Sequence, residues 1–284
     1  MIKSYKLKRI LANTFIYIFL AVLGLIWVSP LAYLVLHSFR AEGLSSVEYL
    51  IPKQFTFDNY ISLFTDTTIM NFPKWFMNTL IIAIFSCIIS TLAVLMVSYS
   101  FSRLRFKARK PLINIGMILG MFPGFMTMIA IYYLLKAMDL TEKSLALVIC
   151  YSAGAGLGYQ ISKGFFDTIP RALDEAATID GATRNQIFWK IILPMSKPIV
   201  VYTVLTSFIG PWTDFILARI IMRDNVDGFT VAIGLQEMIT EDNKLIFYKQ
   251  FLAGSVVVAI PITILFLFMQ RYYVEGVTAG GVKG

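Results

Sequence analysis

Six stretches of the chain are predominantly apolar and long enough to be membrane helices: Thr14–Leu36, Met77–Tyr99, Leu112–Leu135, Ser144–Gln160, Ile199–Met222 and Phe251–Met269. About 20 such residues in a helix cover the hydrocarbon core of a bilayer. The pattern predicts an all-α, polytopic membrane protein with six transmembrane helices. Lys3, Lys6, Lys8 and Arg9 precede the first run, as in a signal peptide. That run is too long for one and lacks a small-residue cleavage site, so it is expected to be a retained signal-anchor.

The polar connections set the direction of the spans. Arg103, Arg105, Lys107, Arg109 and Lys110 crowd the connection between the second and third runs. Lys163, Arg171, Arg184, Lys190 and Lys197 lie between the fourth and fifth. The other connections carry as many acidic residues as basic ones, or more. Cytoplasmic loops hold the excess of Lys and Arg, so both termini are expected in the cytoplasm of a bacterial cell with this chain in its plasma membrane. Three regions follow. Residues 1–76 hold the N-terminal segment, first span and first outer loop; residues 77–270 hold the transmembrane core; residues 271–284 form a cytoplasmic tail. Phe72, Trp75 and Tyr60, near the outer end of the second span, read as interfacial anchors.

Composition narrows the chemistry. The chain has 284 residues, 57% hydrophobic and 15% charged, against about 25% charged in soluble domains. The net charge of +8 is accounted for by membrane topology, with lipid and not nucleic acid as the surrounding partner. One histidine, His37, offers no metal cluster, and Cys87 and Cys150 inside apolar runs read as packed free thiols. Gly-x-x-x-x-Gly-Lys-Ser/Thr is absent, so the chain has no loop to cradle nucleotide phosphates. Gly154, Gly156 and Gly158 lack dinucleotide spacing and read as sites of bending or close packing. No catalytic residue, metal or cofactor is expected on this chain.

Residues 167–194 are the most structured of the polar segments. Pro170 suits a helix start, and Arg171 to Ile179 reads as a short helix. Gly181 fits the left-handed residue that ends it. Thr183 and Gln186 form a capping box for a second helix, which Pro194 is expected to end. Leu173, Ala176, Ala177 and Asp180 fall on one side of the first helix by spacing. The alanines permit close approach of a partner, and Glu175 offers a carboxylate to a partner arginine.

Glu175-Ala176-Ala177, Gly181, Ile191 and Leu193-Pro194, set between two apolar spans, resemble the EAA loop of permease subunits of ATP-binding cassette (ABC) importers. The run from Ala253 through Ile260-Pro261 and Gln270-Arg271-Tyr272-Tyr273 to Gly284 is similar to the end of maltose-type sugar permeases, specifically the MalG-like member of the pair. Gly210-Pro211-Trp212-Thr213-Asp214-Phe215 resembles that family's Trp-Asn-Glu/Asp-Phe stretch, with Thr213 in place of the usual Asn. The resemblance implies import of a carbohydrate, maltose or maltodextrin first, with another oligosaccharide or a glycerol-phosphate-type solute as the alternative. It implies a MalF-like second permease subunit as heterodimer partner, an ATPase dimer that holds ATP and Mg, and an extracellular or periplasmic sugar-binding protein. It assigns ATPase coupling to Leu173, Glu175, Ala176, Ala177, Asp180, Gly181, Ile191, Leu193 and Pro194. A self-sufficient secondary transporter is the remote rival. It would need several intramembrane carboxylates, and only Asp214 stands out.

The substrate path is read from polar residues and helix breakers within the spans. Pro123 and Gly210-Pro211 fall at similar depth, and broken helices at the midplane mark transport sites or simple kinks. Asp214 costs about 2.5–3.5 kcal/mol to insert, so it faces either a cavity or a subunit interface. Trp212 offers a flat apolar face for sugar, but lies two residues away and shares a cavity with Asp214 only if the helix breaks there. Gly116, Gly120 and Gly124 are spaced for close helix packing. The glycine-rich tail either reaches the ATPases or frays.

Overall fold

In the computed structural model, the described residues are 2–42, 51–154 and 158–281, with side chains described from residue 8 to residue 272 within those ranges. Gly156 and the last three residues, Val282 to Gly284, lie outside them. The elements in order are α1 (Ile2–Ser38), α2 (Asp58–Thr65), α3 (Phe72–Arg103), α4 (Arg109–Gly120), α5 (Gly124–Ala137), α6 (Ser144–Gly154) and α7 (Tyr159–Thr168). There follow α8 (Ala172–Ile179), α9 (Arg184–Ile187), a π-helical turn (Phe188–Ile192), α10 (Leu193–Met195), α11 (Lys197–Thr213), α12 (Ile216–Met222), α13 (Val231–Met238) and α14 (Lys244–Gly281). Among the described residues the only β feature is one antiparallel bridge, Arg40 to Phe55. The chain is all-α, with, among the described residues, four helical runs long and apolar enough to cross a membrane and up to six if two bent pairs are counted as spans.

The chain divides into two compact units. The first comprises residues 1–70 and 237–257. From Thr14 to Leu36 its α1 is apolar on every side, and Phe15, Leu25 and Trp27 are more than 70% exposed, as suits a helix solvated by lipid. Polar order gathers at the end of α1. Asn59 donates to the carbonyls of Ser38 and Arg40 at 2.9 and 2.8 Å, satisfying groups a helix terminus leaves open. The Glu42 carboxylate accepts from the backbone of Lys53 and Gln54. Backbone N–H groups, its own first, together with nearby Arg40, hold its pKa below the usual carboxylate range.

The second unit comprises residues 71–236 and 258–284, and α3 is its central post. Thr79, Ala83, Ser86, Cys87, Ser90, Thr91, Ser98 and Ser102 form a buried stripe of small residues on α3. Small side chains let helix backbones approach closely where lipid supplies no hydrophobic drive for association. Their hydroxyls then bond to the helices they admit. Ser90 pairs with Ser207 of α11 at 2.8 Å, and Ser98 donates to the Tyr159 carbonyl of α7 at 3.0 Å.

At the start of α3, Phe72 and Trp75 are not interfacial anchors, since they are 0% and 1% exposed. The Trp75 indole N–H donates to the Val226 carbonyl at 3.1 Å. The ring lies directly over Gly234, where an added Cβ would fall 1.9 Å from a ring atom. A glycine across the helix pair thus swallows the aromatic that composition assigned to the membrane surface.

Two expected spans are broken. The third is bent by 103° between α4 and α5. Pro123 sits at the turn with φ −56° and ψ 124°. Proline disfavours helical geometry at the residue before it and supplies no N–H to continue the ladder. Gly116 does serve packing, lying against Tyr159, but Gly120 and Gly124 have no atom within 4 Å of an added Cβ. In the fifth span the break falls at Asp214–Phe215, and Gly210-Pro211 remain inside α11. Asp214 Oδ1 accepts the Leu217 N–H at 3.1 Å and so caps the next helix itself. A short side chain able to bond local backbone competes with helix continuation. The last helix runs on to Gly281, past the expected end of the span at Met269 and through most of the expected tail.

Gly234→Ala is expected to cost at least about 1–3 kcal/mol, the usual price of overpacking. Gly120→Ala, with open space around it, should stay within about 1 kcal/mol of the parent. Thermal unfolding of the detergent-solubilised protein followed by intrinsic fluorescence checks the pair.

Candidate functional site

The segment after α7 folds as a helical hairpin whose turns are written into adjacent residues. Ile169 is extended, and α8 begins at Ala172, one residue later than its spacing suggests. Gly181 has φ +81°. The N–H of Ala182 reaches the carbonyl of Ala177 at 2.9 Å and that of Gly181 reaches Thr178 at 3.1 Å. This bond pair is a Schellman ending, which needs a left-handed residue and therefore favours glycine. Thr183 then caps the second helix: its Oγ1 accepts from Gln186 N at 3.3 Å, and Gln186 Oε1 accepts from Thr183 N at 2.8 Å.

Pro194 does not end this helix. The chain passes through a π turn in which the Leu193 N–H bonds to Phe188 five residues back. The wider turn shifts the ladder just ahead of the proline, and Pro194 enters the following turn at a position where its missing N–H is tolerated. The direction changes at Ser196 instead, by 85° into α11.

The hairpin rests on an apolar base. Ala177, Ile187, Phe188 and Ile192 pack with Leu95 and Tyr99 of α3, with Phe166 and Ile169 beside them. Ile191 and Leu193 pack against the same cluster, partly buried. Ala177 therefore faces inward at 8% exposure, and does not share the outer face with Leu173 and Ala176 as the spacing argument placed it. The outer face is formed by Leu173, Ala176, Asp180 and Ile179, with Glu175 also exposed. Ile179 is 85% exposed. Sequence reasoning missed it, although its i, i+3 relation to Ala176 was available.

Arg103, at the last turn of α3, fastens the hairpin. Its Nη1 donates to Asp174 Oδ2 at 2.9 Å, and Nη2 donates to the carbonyls of Phe166 and Ile169 at 2.7 and 2.9 Å. The Arg103 side chain is only 4% exposed. One planar guanidinium thus joins α3, the end of α7 and the first turn of α8, a task for which its fixed fork is suited and an ammonium is not. A second set lies beside it. Asp167 accepts from Ser102 Oγ and from Lys163 Nζ, both at 2.6 Å. Arg171 donates to the Ser102 carbonyl at 3.2 Å. These cations, first noted only for membrane orientation, are structural pins. Their partners stand more than 60 residues away in Arg103's case, beyond the reach of any local pattern.

A separate cavity of about 300 Å³ lies among α3, α6, α7 and α11, lined by Ser90, Tyr151, Ser162, Tyr202, Thr203, Thr206 and Ser207, with Gly210 and Pro211. Asp214 does not line it but holds Tyr151 there: the Tyr151 hydroxyl donates to Asp214 Oδ2 at 2.8 Å. Trp212 is 3% exposed and packs against Phe76 and Phe208, so its face is not open to a solute. Pro123 is exposed at its own turn and belongs to neither feature. Of the residues proposed for a path, the structure brings together Gly210, Pro211 and, through Tyr151, Asp214.

Comparison with known proteins agrees with this architecture. Residues 89–278 match the family described as binding-protein-dependent transport system inner membrane component. The chain is 35% identical over 283 residues to the maltodextrin transport system permease protein MalD of Streptococcus pneumoniae, covering 99% of each. It is 34% identical to the galactooligosaccharides transport system permease protein GanQ of Bacillus subtilis, covering all of both chains. To the maltose/maltodextrin permease MalG of Escherichia coli K12 it is 33% identical, over 99% of this chain and 98% of that one. In fold it is similar to a chain of a bacterial ABC transporter that imports alginate, with TM-score 0.78, 20% identity and coverage of 92% and 96%.

Arg103→Leu leaves Asp174 without its partner, and breaking a buried pair costs about 3–5 kcal/mol. Amide exchange across α8 should quicken on the order of 100-fold, with Arg103→Lys intermediate. Hydrogen-exchange mass spectrometry reads this directly, and unchanged protection in the leucine variant would refute the pin.

Proposed function

Because the chain belongs to the family of binding-protein-dependent transport system inner membrane components, we propose that it is the permease subunit of an ABC importer whose α8 face docks on a separate ATPase and whose cargo is an oligosaccharide. The chain works beside a second permease subunit, with an ATPase dimer on the cytoplasmic side and a sugar-binding protein on the other. ATP and Mg belong to the ATPase. Both termini and the hairpin lie in the cytoplasm, a reading supported by the basic residues of the connections around α3–α4 and α7–α11.

The observation that carries the proposal is the exposed face of α8 on a base fixed to α3. Leu173, Ala176 and Ile179 give a small apolar surface, with Glu175 and Asp180 at its edge. When the ATPases close on ATP, the partner socket moves this face. The Arg103 fork and the apolar base transmit the displacement to α3, and through the bonds made by the Ser98 and Ser90 hydroxyls of α3 to α7 and α11. The Arg103 fork bridges the extended Ile169 link between α7 and α8, so work done on the hairpin reaches the helices around the hydroxyl-lined cavity.

Malto-oligosaccharides are the first cargo to test, supported by the names of several relatives. The galactooligosaccharide relative, at nearly the same identity, favours a second reading with galacto-oligosaccharides. The hydroxyls of the cavity, with Tyr151 held by Asp214, suit a polyol and do not choose between them. The complex reconstituted in liposomes with its binding protein distinguishes the two. ATP hydrolysis is expected to rise with maltodextrin-loaded binding protein; stimulation by galacto-oligosaccharide alone would transfer the assignment, and stimulation by neither would end the oligosaccharide reading.

Two variants address the coupling. Gly181→Val forces a β-branched residue to φ +81°, at about 1–2 kcal/mol or more, and should release the ATPase while the chain stays in the membrane. Ile179→Ala removes an exposed anchor and should weaken ATPase association on the order of tenfold, with the hairpin intact. Co-purification of the ATPase with each variant checks both.

A further inference from the structure

At the start of α4 the chain forms a second cavity, about 560 Å³, whose rim carries Arg105, Lys107, Arg109, Lys110 and Lys163. Among the described residues Arg105, Lys107, Arg109 and Lys110 form no ion pair within 4.0 Å; Asp167, which Lys163 holds at 2.6 Å, is close enough to Arg109 to feel its charge. Topology alone asks for basic residues in this loop; it does not ask that they converge on one hollow. The N-terminus of α4 opens into the same space and adds the positive end of the helix dipole, although the Arg109 N–H is taken by the Phe106 carbonyl and Pro111 has none. Below the rim, Leu112, Ile115, Ile118 and Leu119 leave an apolar stripe along α4, each about half exposed. A concentrated positive hollow above an apolar stripe matches one kind of molecule: a phosphate headgroup with acyl chains beneath it.

We infer that this cavity binds the headgroup of an anionic phospholipid, with Arg109 and Lys110 as the main phosphate contacts and the exposed face of α4 as the bed of its chains. The inference requires a bilayer around α4 and does not depend on the cargo or on which side the ATPase lies. Basic pockets beside membrane helices gain about 1 kcal/mol per charge from anionic lipid, or roughly fivefold in affinity. Lys163 gives the site a consequence. It lines the cavity and also holds Asp167, whose other oxygen takes the Ser102 hydroxyl at the foot of the hairpin. A lipid phosphate competes with Asp167 for that ammonium, so occupancy bears on the same pins that steady α8.

The test titrates dioleoyl-phosphatidylglycerol, and dioleoyl-phosphatidylcholine in parallel, onto the delipidated full transporter complex, with bound lipid counted by native mass spectrometry. The parent complex should prefer phosphatidylglycerol, and Arg109→Gln with Lys110→Gln should reduce that preference on the order of tenfold or more. Arg223→Gln, which removes an exposed cation elsewhere, should leave it unchanged, and the charge-keeping exchange Arg109→Lys with Lys110→Arg should retain it. If the double glutamine variant fails to assemble, Lys107→Gln alone should still lower the preference about fivefold. Equal binding of the two lipids by the parent, or the same preference in the glutamine variants, overturns the inference. Displacement of phosphatidylglycerol by inorganic phosphate as readily as by more lipid would also overturn it, since the hollow would then be a site for free anions.

Discussion

The arrangement depends on a single buried guanidinium. Arg103 stands at the end of the longest helix of its unit and reaches one carboxylate and two carbonyls, each on chain that would otherwise be free to drift. Burying a charge is costly unless its donors are occupied, and here three acceptors meet it. The same fact makes the joint stiff. The hairpin cannot tilt without stretching several charge-assisted bonds together, so it moves with α3 or hardly at all. The apolar base under Ala177 adds contact area but little direction; the fork supplies the direction.

Stiffness at the foot is matched by close approach along the post. Because α3 carries serine, threonine, alanine and cysteine where it meets its neighbours, backbones draw near and hydroxyls cross-link them. Lipid-facing helices behave in the opposite way. The flank of α1 is large, apolar and open, and it contributes to solvation by lipid more than to packing. The second unit therefore holds together by polar contacts within an apolar medium, where an unmade hydrogen bond has no water to fall back on.

Legibility in the sequence followed distance along the chain. The long spans were plain because apolar runs need no partner to be recognised. Gly181 and the Thr183–Gln186 box were equally plain, since each device closes within a few residues. Trp75 was misread as an interfacial anchor because Gly234, which receives it, lies far downstream. Ala177 was placed on the wrong face because spacing groups residues on a helix without saying which group looks inward. Pro194 was expected to stop a helix that instead widens by one π turn ahead of it, an adjustment that depends on packing around Phe188 and Ile192. Arg103 was visible only as a positive charge. Its role requires Asp174 and the carbonyls of Phe166 and Ile169, which only tertiary structure brings near.

The pairing of Tyr151 with Asp214 also bears on how the chain enters the membrane. The two are 63 residues apart, with the hydroxyl first. At about 5–20 residues per second of synthesis, the tyrosine precedes the aspartate by roughly 3–13 s. The carboxylate therefore leaves the ribosome after its hydrogen-bond donor has already been made, and a charged residue between α11 and α12 can be received by protein when it arrives.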